Sequence, residues 1–266
     1  MPQNRILRER VAGQSAMSAV VEAQALALPL GRLGRLFGMS PLTAAGRAHY
    51  RGALGELLVG DVLDDLGPAW DVLHDLPLES STLDHLLIGR AGVFSIRTAD
   101  FGRADVVVDG DSLLVDGEAS DDIASARVEA DEVARLLGEA AGVPVRVRPL
   151  LVVIDPKRLA IRASVAGLRV IGSFDLERVL TRAPHTLTGD EVARLSDVAD
   201  LVTTWPPGRG TELDTRQVHR EFELIRSDVR EAIVRRVFWA GATTVLVCAS
   251  TMGTVATLVS LMVLPR

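Results

Sequence analysis

The chain has 266 residues, enough for one ordinary domain with additions or two small ones, and an apolar share of 48% supplies a sizeable core. A net charge of −6 lacks the basic footprint usual in nucleic-acid binders, and the lone Cys248 excludes an internal disulfide and a cysteine-based zinc site. Of 29 basic residues only Lys157 is a lysine, so the chain holds no phosphate-cradling G-x-x-x-x-G-K-[ST] loop, and it has no G-x-S-x-G nucleophile elbow.

In chain order, residues 4–28 read as a helix packed on the domain that follows. Arg5, Arg8 and Arg10 would suit a signal peptide, but Glu22 interrupts the apolar stretch, which is rich in Ala and Ser rather than Leu. Pro29 to Gly38 is broken by three glycines and reads as a loop on the domain; its mixture of Leu, Phe and Arg would also suit a lipid surface. From Arg47 to Leu66 the apolar residues Tyr50, Leu54, Leu57, Leu58, Val62 and Leu66 recur at three and four, which predicts a helix ended by Gly67-Pro68. Short strands follow at 70–76, 82–88 and 93–98, then a hairpin over 105–116 around Asp109-Gly110. A helix is expected at 124–137 and a strand at 145–154. In that strand Pro149 argues for an edge or bulge, and Leu150–Ile154 reads as buried. A strand at 168–171 and helices at 176–181 and 188–203 complete the pattern, with Thr188 and Glu191 as a capping box. Trp205-Pro-Pro-Gly-Arg-Gly reads as a linker. The expected organisation is a helical extension (1–45), an α/β domain (46–204), a linker with a juxtamembrane helix (205–236) and a membrane helix (237–264).

The last of these rests on the run from Val237 to Leu264, which holds no charged residue. As a helix it would rise about 42 Å, against roughly 30 Å of hydrocarbon. Core helices rarely run this long without charge. Trp239 stands where an interfacial aromatic belongs. Arg226, Arg230, Arg235 and Arg236 precede the run and only Arg266 follows it, so the positive-inside rule expects a single-pass protein of the cell membrane with its N-terminal domain in the cytoplasm. With so little chain after the run, a tail anchor is expected. Val218, Phe222, Ile225, Val229 and Ala232 recur at four-three-four-three, and Ala249 and Gly253 form a small-xxx-small pair. A homodimer through residues 218–232 and the membrane helix is therefore also expected.

Three stretches carry a resemblance: Gly52-Ala-Leu-Gly-Glu56 on the first long helix, Leu83-Asp84-His85 on the second strand, and Gly92-Val-Phe-Ser-Ile96 on the third. In this order, with the Val72-Leu-His-Asp75 strand before them, they resemble the bacterial nuclease-related domain (NERD) family. The resemblance implies an α/β, restriction-endonuclease-like core of helix, mixed sheet and flanking helices. That core places a helix glutamate, a strand aspartate and an acid-x-lysine pair around a divalent metal. Carboxylates would hold Mg²⁺, which activates water and offsets charge on the scissile phosphate.

Glu56 matches the helix glutamate and Asp84 the strand aspartate. The acid-x-lysine pair falls on Arg97-Thr98-Ala99, so the acid has become arginine and the lysine alanine. Positions 97 and 99 share one strand face. Arg97 would repel a cation, and its planar fork suits pairing with Asp84 or Glu56. Asp100 points to the opposite face, and Lys157 lies far along the chain. The resemblance thus implies a degenerate pseudo-nuclease with no cofactor expected; Mg²⁺ would sit on Glu56 and Asp84 only if a metal is retained. Three functions follow: a membrane-tethered, non-catalytic domain that binds a partner or nucleic acid; an active Mg²⁺-dependent nuclease with a relocated site; or a membrane scaffold with no nucleic-acid role.

Overall fold

The computed structural model describes residues 7, 10–25, 30–207 and 215–263, with side chains through Val255. Parts of the expected first helix, the second half of the expected linker and Leu264 fall outside the described residues.

Helix α1 spans Gln14–Ala25 and a short helix α2 spans Arg32–Leu36, within the segment expected to be a loop. Helix α3 (Ala44–Asp64) begins at Thr43, whose side chain accepts the Gly46 N–H at 2.9 Å. Strands β1 (Trp70–Pro77), β2 (Thr82–Gly89) and β3 (Gly92–Ala99) form an antiparallel meander. Next come β4 (Asp105–Asp109), β5 (Ser112–Val115) and β6 (Glu118–Ser120), then helix α4 (Asp122–Ala141). Strands β7 (Val147–Val153), β8 (Arg158–Ala163) and β9 (Arg169–Gly172) lead to helices α5 (Leu176–Thr181) and α6 (Gly189–Ala199). Helix α7 runs unbroken from Thr215 to Val263.

The strands make two sheets, one ordered β1-β2-β3-β7-β9 and the other β6-β5-β4-β8. In the first, β7 lies parallel between β3 and β9, so it is not an edge strand. Pro149 is accommodated because its pairing is with Ser95 of β3 alone; the ladder to β9 starts one residue later, at Leu150. Apolar side chains cover both faces of this sheet. Val59 and Leu63 of α3 pack with Leu87, Phe94, Ile96 and Val152 on one face. Val133 and Leu137 of α4, with Leu195 of α6, pack on Leu73, Leu86 and Val93 on the other. Strands β6 and β8 and helix α2 were not expected from the sequence.

The stripe at 218–232 has a different use from the expected one. Val218, Phe222 and Val229 are buried against Met17 and Val20 of α1 and Tyr50 and Ala53 of α3. Ala232 is buried as well. The chain's own helices fill the seam expected for a second copy, because α1 and α3 present apolar stripes that would otherwise face water. Residues of α1, α3 and α7 thus share one apolar cluster. Beyond this stripe α7 meets residues 35–38 through Arg235, Arg236 and Trp239 and is otherwise largely exposed. Its most apolar 18-residue window has a mean hydropathy of 1.4, and only 6% of it is buried by the rest of the chain. A core helix of this composition would be mostly covered, so α7 is long and apolar enough to cross a membrane and is not a core helix over that window.

Phe222 is fully buried, with its ring 5.7 Å from that of Tyr50. Phe222→Ala is expected to cost about 3–5 kcal/mol of stability, read by denaturant unfolding of the full chain in detergent. Trypsin is then expected to cut at Arg220 and Arg226, both on α7. A loss that depended on protein concentration would instead assign the stripe to a second copy.

Candidate functional site

Glu56 lies on the sheet-facing stripe of α3, between Ala53 and Gly60, and Asp84 lies near the start of β2. The ladder that pairs His85 with Ile96 brings Asp84 beside Arg97 of β3. The carboxylate of Asp84 accepts the Thr98 N–H at 2.6 Å. Arg97 does not bond to Asp84 or Glu56, as the sequence had led us to expect. Its Nε donates to Asp122 Oδ1 at 3.0 Å and its Nη1 to Glu129 Oε1 at 2.6 Å. The physical reason is facing: position 97 points to the α4 side of the sheet. There Asp122 and Glu129, seven residues apart, stand on one helix face. Glu129 is only 4% exposed and needs a cation beside it.

Other residues join the site that the sequence reading had not assigned to it. Asp75 is 2% exposed, with φ +54, at the position the β1–β2 ladder skips between the His74 and Leu76 pairs. Aspartate tolerates this left-handed conformation better than most residues. Its Oδ1 accepts the Ser15 N–H at 2.8 Å, in the first turn of α1. Arg10 donates to the Asp75 carbonyl oxygen and, at 3.2 Å, to its Oδ2. The chain before α1 thus lies over the carboxyl cluster. Gly13, with φ +71, has no Cβ; one there would stand 3.4 Å from the Glu56 Cβ. Beside Asp84, His85 is fully buried and shares a 2.8 Å hydrogen bond with His74, whose second nitrogen meets Asp64 at 3.2 Å. Burial and His74 push the His85 pKa well down.

The electrostatics follow from crowding. Burial pushes the Glu56 carboxyl well above the usual range, and Asp84 and Asp75 add to this against Arg97. Burial raises Asp84 to about 7; the Thr98 N–H opposes it, Glu129 and Asp75 reinforce it and Arg97 opposes it. Burial also raises Glu129, against Arg97 and the Ser81 hydroxyl. Burial works against the charge on Arg97, but Glu129, Asp122 and Asp84 outweigh it and hold the guanidinium protonated.

This donor set does not fit Mg²⁺. Among the described residues no three His, Cys, Asp or Glu side chains stand together as metal ligands. Burial favours the protonated forms of Glu56 and Asp84, with which a metal would have to compete, and position 97 carries a cation. Ala99, at the lysine position, is 5% exposed and packs with Val106, Ile123, Ala126, Leu151 and Val153, so a lysine there would bury its ammonium among apolar groups. Lys157 pairs with Asp105 at 3.0 Å in the second sheet, and the Asp100 carboxylate accepts the Gly102 N–H at 2.7 Å.

A meander, a parallel strand reached through α4, and a helix carrying a glutamate toward the sheet define a nuclease-like α/β domain. Residues 51–154 match the family model described as "nuclease-related domain", NERD. Glu56, Asp84, Arg97 and Ala99 all fall inside it. No curated protein matches the chain. No solved structure matches it either.

Asp84 gives a pH signature with a definite sign. The folded state keeps its proton to about pH 7, whereas the ordinary aspartate value is 3.8. Between these values the unfolded chain releases the proton first, so stability falls as pH rises through the interval, by up to about 1.4 kcal/mol per pH unit. Asp84→Asn keeps an oxygen for the Thr98 N–H and removes the titration. Its unfolding midpoint in urea should gain on the wild type as pH rises from acid to neutral and level off above. Parallel pH profiles would overturn the assignment.

Proposed function

We propose that the chain is a membrane-tethered, non-catalytic member of the nuclease-related family that holds a protein partner beside the membrane. The observation that carries this is the Arg97 fork seated on Asp122 and Glu129. In the resemblance stated above, that position supplies an acid to a dication. Here it supplies a permanent cation, already satisfied from within the chain. Raised carboxyl pKa values alone would also suit an empty cation site; the guanidinium at position 97 supports the non-catalytic reading. Asp75 is likewise taken up by Arg10 and the first turn of α1. The relocated-site alternative lacks its lysine, because Lys157 is engaged with Asp105. A net charge of −6 favours a protein partner over nucleic acid.

The test uses the full chain in detergent with single- and double-stranded DNA and RNA, in Mg²⁺ and in Mn²⁺. No cleavage above a protein-free control is expected. Cleavage that disappears in Glu56→Gln or Asp84→Asn would show a working metal site and sink the reading.

We also infer a single membrane crossing by α7, with the preceding domain in the cytoplasm of the cell membrane. Arg226, Arg230, Arg235 and Arg236 support this orientation. Protease added to inverted vesicles should digest the domain, and protease added to intact cells should spare it; the opposite pattern would reverse the topology.

A further inference from the structure

Helix α2 is only five residues long, too short to persist by itself. It is held by α7 at the point where the uncharged run begins. Trp239 Nε1 donates to the Leu36 carbonyl at 2.8 Å, and Arg235 to the Arg35 carbonyl at 3.1 Å. The Nε and Nη2 of Arg236 both reach the Gly38 carbonyl, at 3.2 and 3.1 Å. The Phe37 and Trp239 rings lie 5.3 Å apart. Gly38 has φ +69, and a Cβ there would run into the Ala232 carbonyl oxygen and stand 2.6 Å from the Arg236 nitrogen. Residues 31–39 are therefore fitted to α7.

Their other side is bare. Leu33 is 70% exposed, Leu36 and Phe37 51%, and Met39 57%. Val234, Val237 and Phe238 of α7 are also exposed. Scattered exposed apolar residues carry no message, but a contiguous set does. Arg32 and Arg35 punctuate this one, and no acidic residue occurs between Glu22 and Glu56. The patch is continuous with the apolar surface of α7 and lies at the level of Trp239, an aromatic suited to the interfacial layer.

We propose that α2 and Phe37–Met39 form a second membrane contact, lying flat in the leaflet that α7 enters. Leu33, Leu36, Phe37 and Met39 face the acyl boundary, while Arg32 and Arg35 meet anionic lipid phosphates. The occupant is the bilayer rather than a second copy, because the patch runs directly into the membrane-crossing surface and residues 31–39 carry cations without acids, the nearby Glu231 of α7 being paired with Arg235. This rests on the proposal that α7 crosses the membrane. It adds a consequence: a single helix leaves a domain free to spin about its axis, whereas a foot docked on that helix fixes which face of the domain meets the lipid.

The experiment places one nitroxide per molecule on the full chain with Cys248→Ser, reconstituted in nanodiscs of phosphatidylcholine and phosphatidylglycerol. Labels go on Leu33→Cys, Met39→Cys, Val247→Cys in the apolar run, and Val128→Cys on exposed α4. Collision with oxygen and with a water-soluble nickel chelate reads depth. We expect Val247→Cys deep in lipid, and Leu33→Cys and Met39→Cys at interfacial depth with most of the nickel collision of Val128→Cys lost. If Val247→Cys is deep but Leu33→Cys and Met39→Cys are as nickel-accessible as Val128→Cys, the foot is wrong and the tether stands. If Val247→Cys itself meets water, the tether fails and this proposal with it. Dipolar broadening between labels at Leu33→Cys would place a second copy on the patch and overturn the lipid assignment.

Discussion

The constraint on which the domain turns is the guanidinium of Arg97. It is about a quarter exposed, with its two partners less so. A cation in such a place is stable only if its hydrogen-bonding fork is filled, and an acid as buried as Glu129 is stable only with a cation against it. Each therefore requires the other, and together they join β3 to α4. The consequence reaches the rest of the site. With the third acid position cationic, Asp84 and Glu56 lose a reason to stay ionised for a metal. Burial then raises both, and the field of Arg97 only partly offsets that rise. Arg10 does similar work on the other side of the cluster by meeting Asp75. The site has been neutralised from within by two arginines and by protons. Replacing a buried ion pair with apolar groups is often neutral for stability, but removing one member is not. Acids that have acquired such a partner are therefore costly to lose.

How much of this the sequence disclosed depends on whether the deciding contact is local. The helix over 47–66 and the three strands after it were legible because their apolar period and their Gly and Pro punctuation lie within the segments themselves. Glu56, Asp84, Arg97 and Ala99 were singled out only through the resemblance, and all four fall within the matched residues 51–154. The partners of Arg97 were not, because Asp122 and Glu129 look like acids on a solvated helix face. A signal was present. Glu129 falls within the stripe of Ala126, Ala130, Val133 and Leu137, all buried, and an acid inside an apolar stripe announces a buried cation. Strand β8 escaped because its ends are arginine and alanine and most of it is exposed. Helix α2 escaped because Gly31 and Gly38 flank it, Gly34 lies within it, and its stabilising partners lie about two hundred residues away, on α7.

The stripe at 218–232 shows a limit of another kind. A heptad seam states that a helix face will be covered; it does not state by what. Met17 and Val20 of α1 and Tyr50 and Ala53 of α3 cover it here. The sequence showed apolar residues in each of these segments, but the choice between an internal and an external partner is a matter of chain closure. An internal partner is present at high effective concentration whenever the linker spans the distance, so it wins unless the external seam is longer or better packed. With about two heptads, this one is not.

That internal packing changes what kind of tether α7 can be. A flexible linker between domain and membrane would leave the domain's height and facing undefined. Instead, the residues that anchor α7 to the domain and those that begin the uncharged run belong to one unbroken helix. From Phe222 to Val237 it rises about 22 Å, at 1.5 Å per residue. The face built from α1 and α3 is therefore held at a fixed short distance from the run, and the carboxyl cluster beneath α1 comes with it. Arg10, Ser15 and Gly13 lie on the same N-terminal segment that closes over Asp75 and Glu56. The segment that closes over the carboxyl cluster thus leads directly into the helix that seats α7, since α1 packs on both α3 and α7. Reopening the site would mean lifting α1, and lifting α1 would uncover the apolar stripe of α7. Coverage of the carboxyl cluster and the seating of α7 are therefore a single packing decision, made by α1.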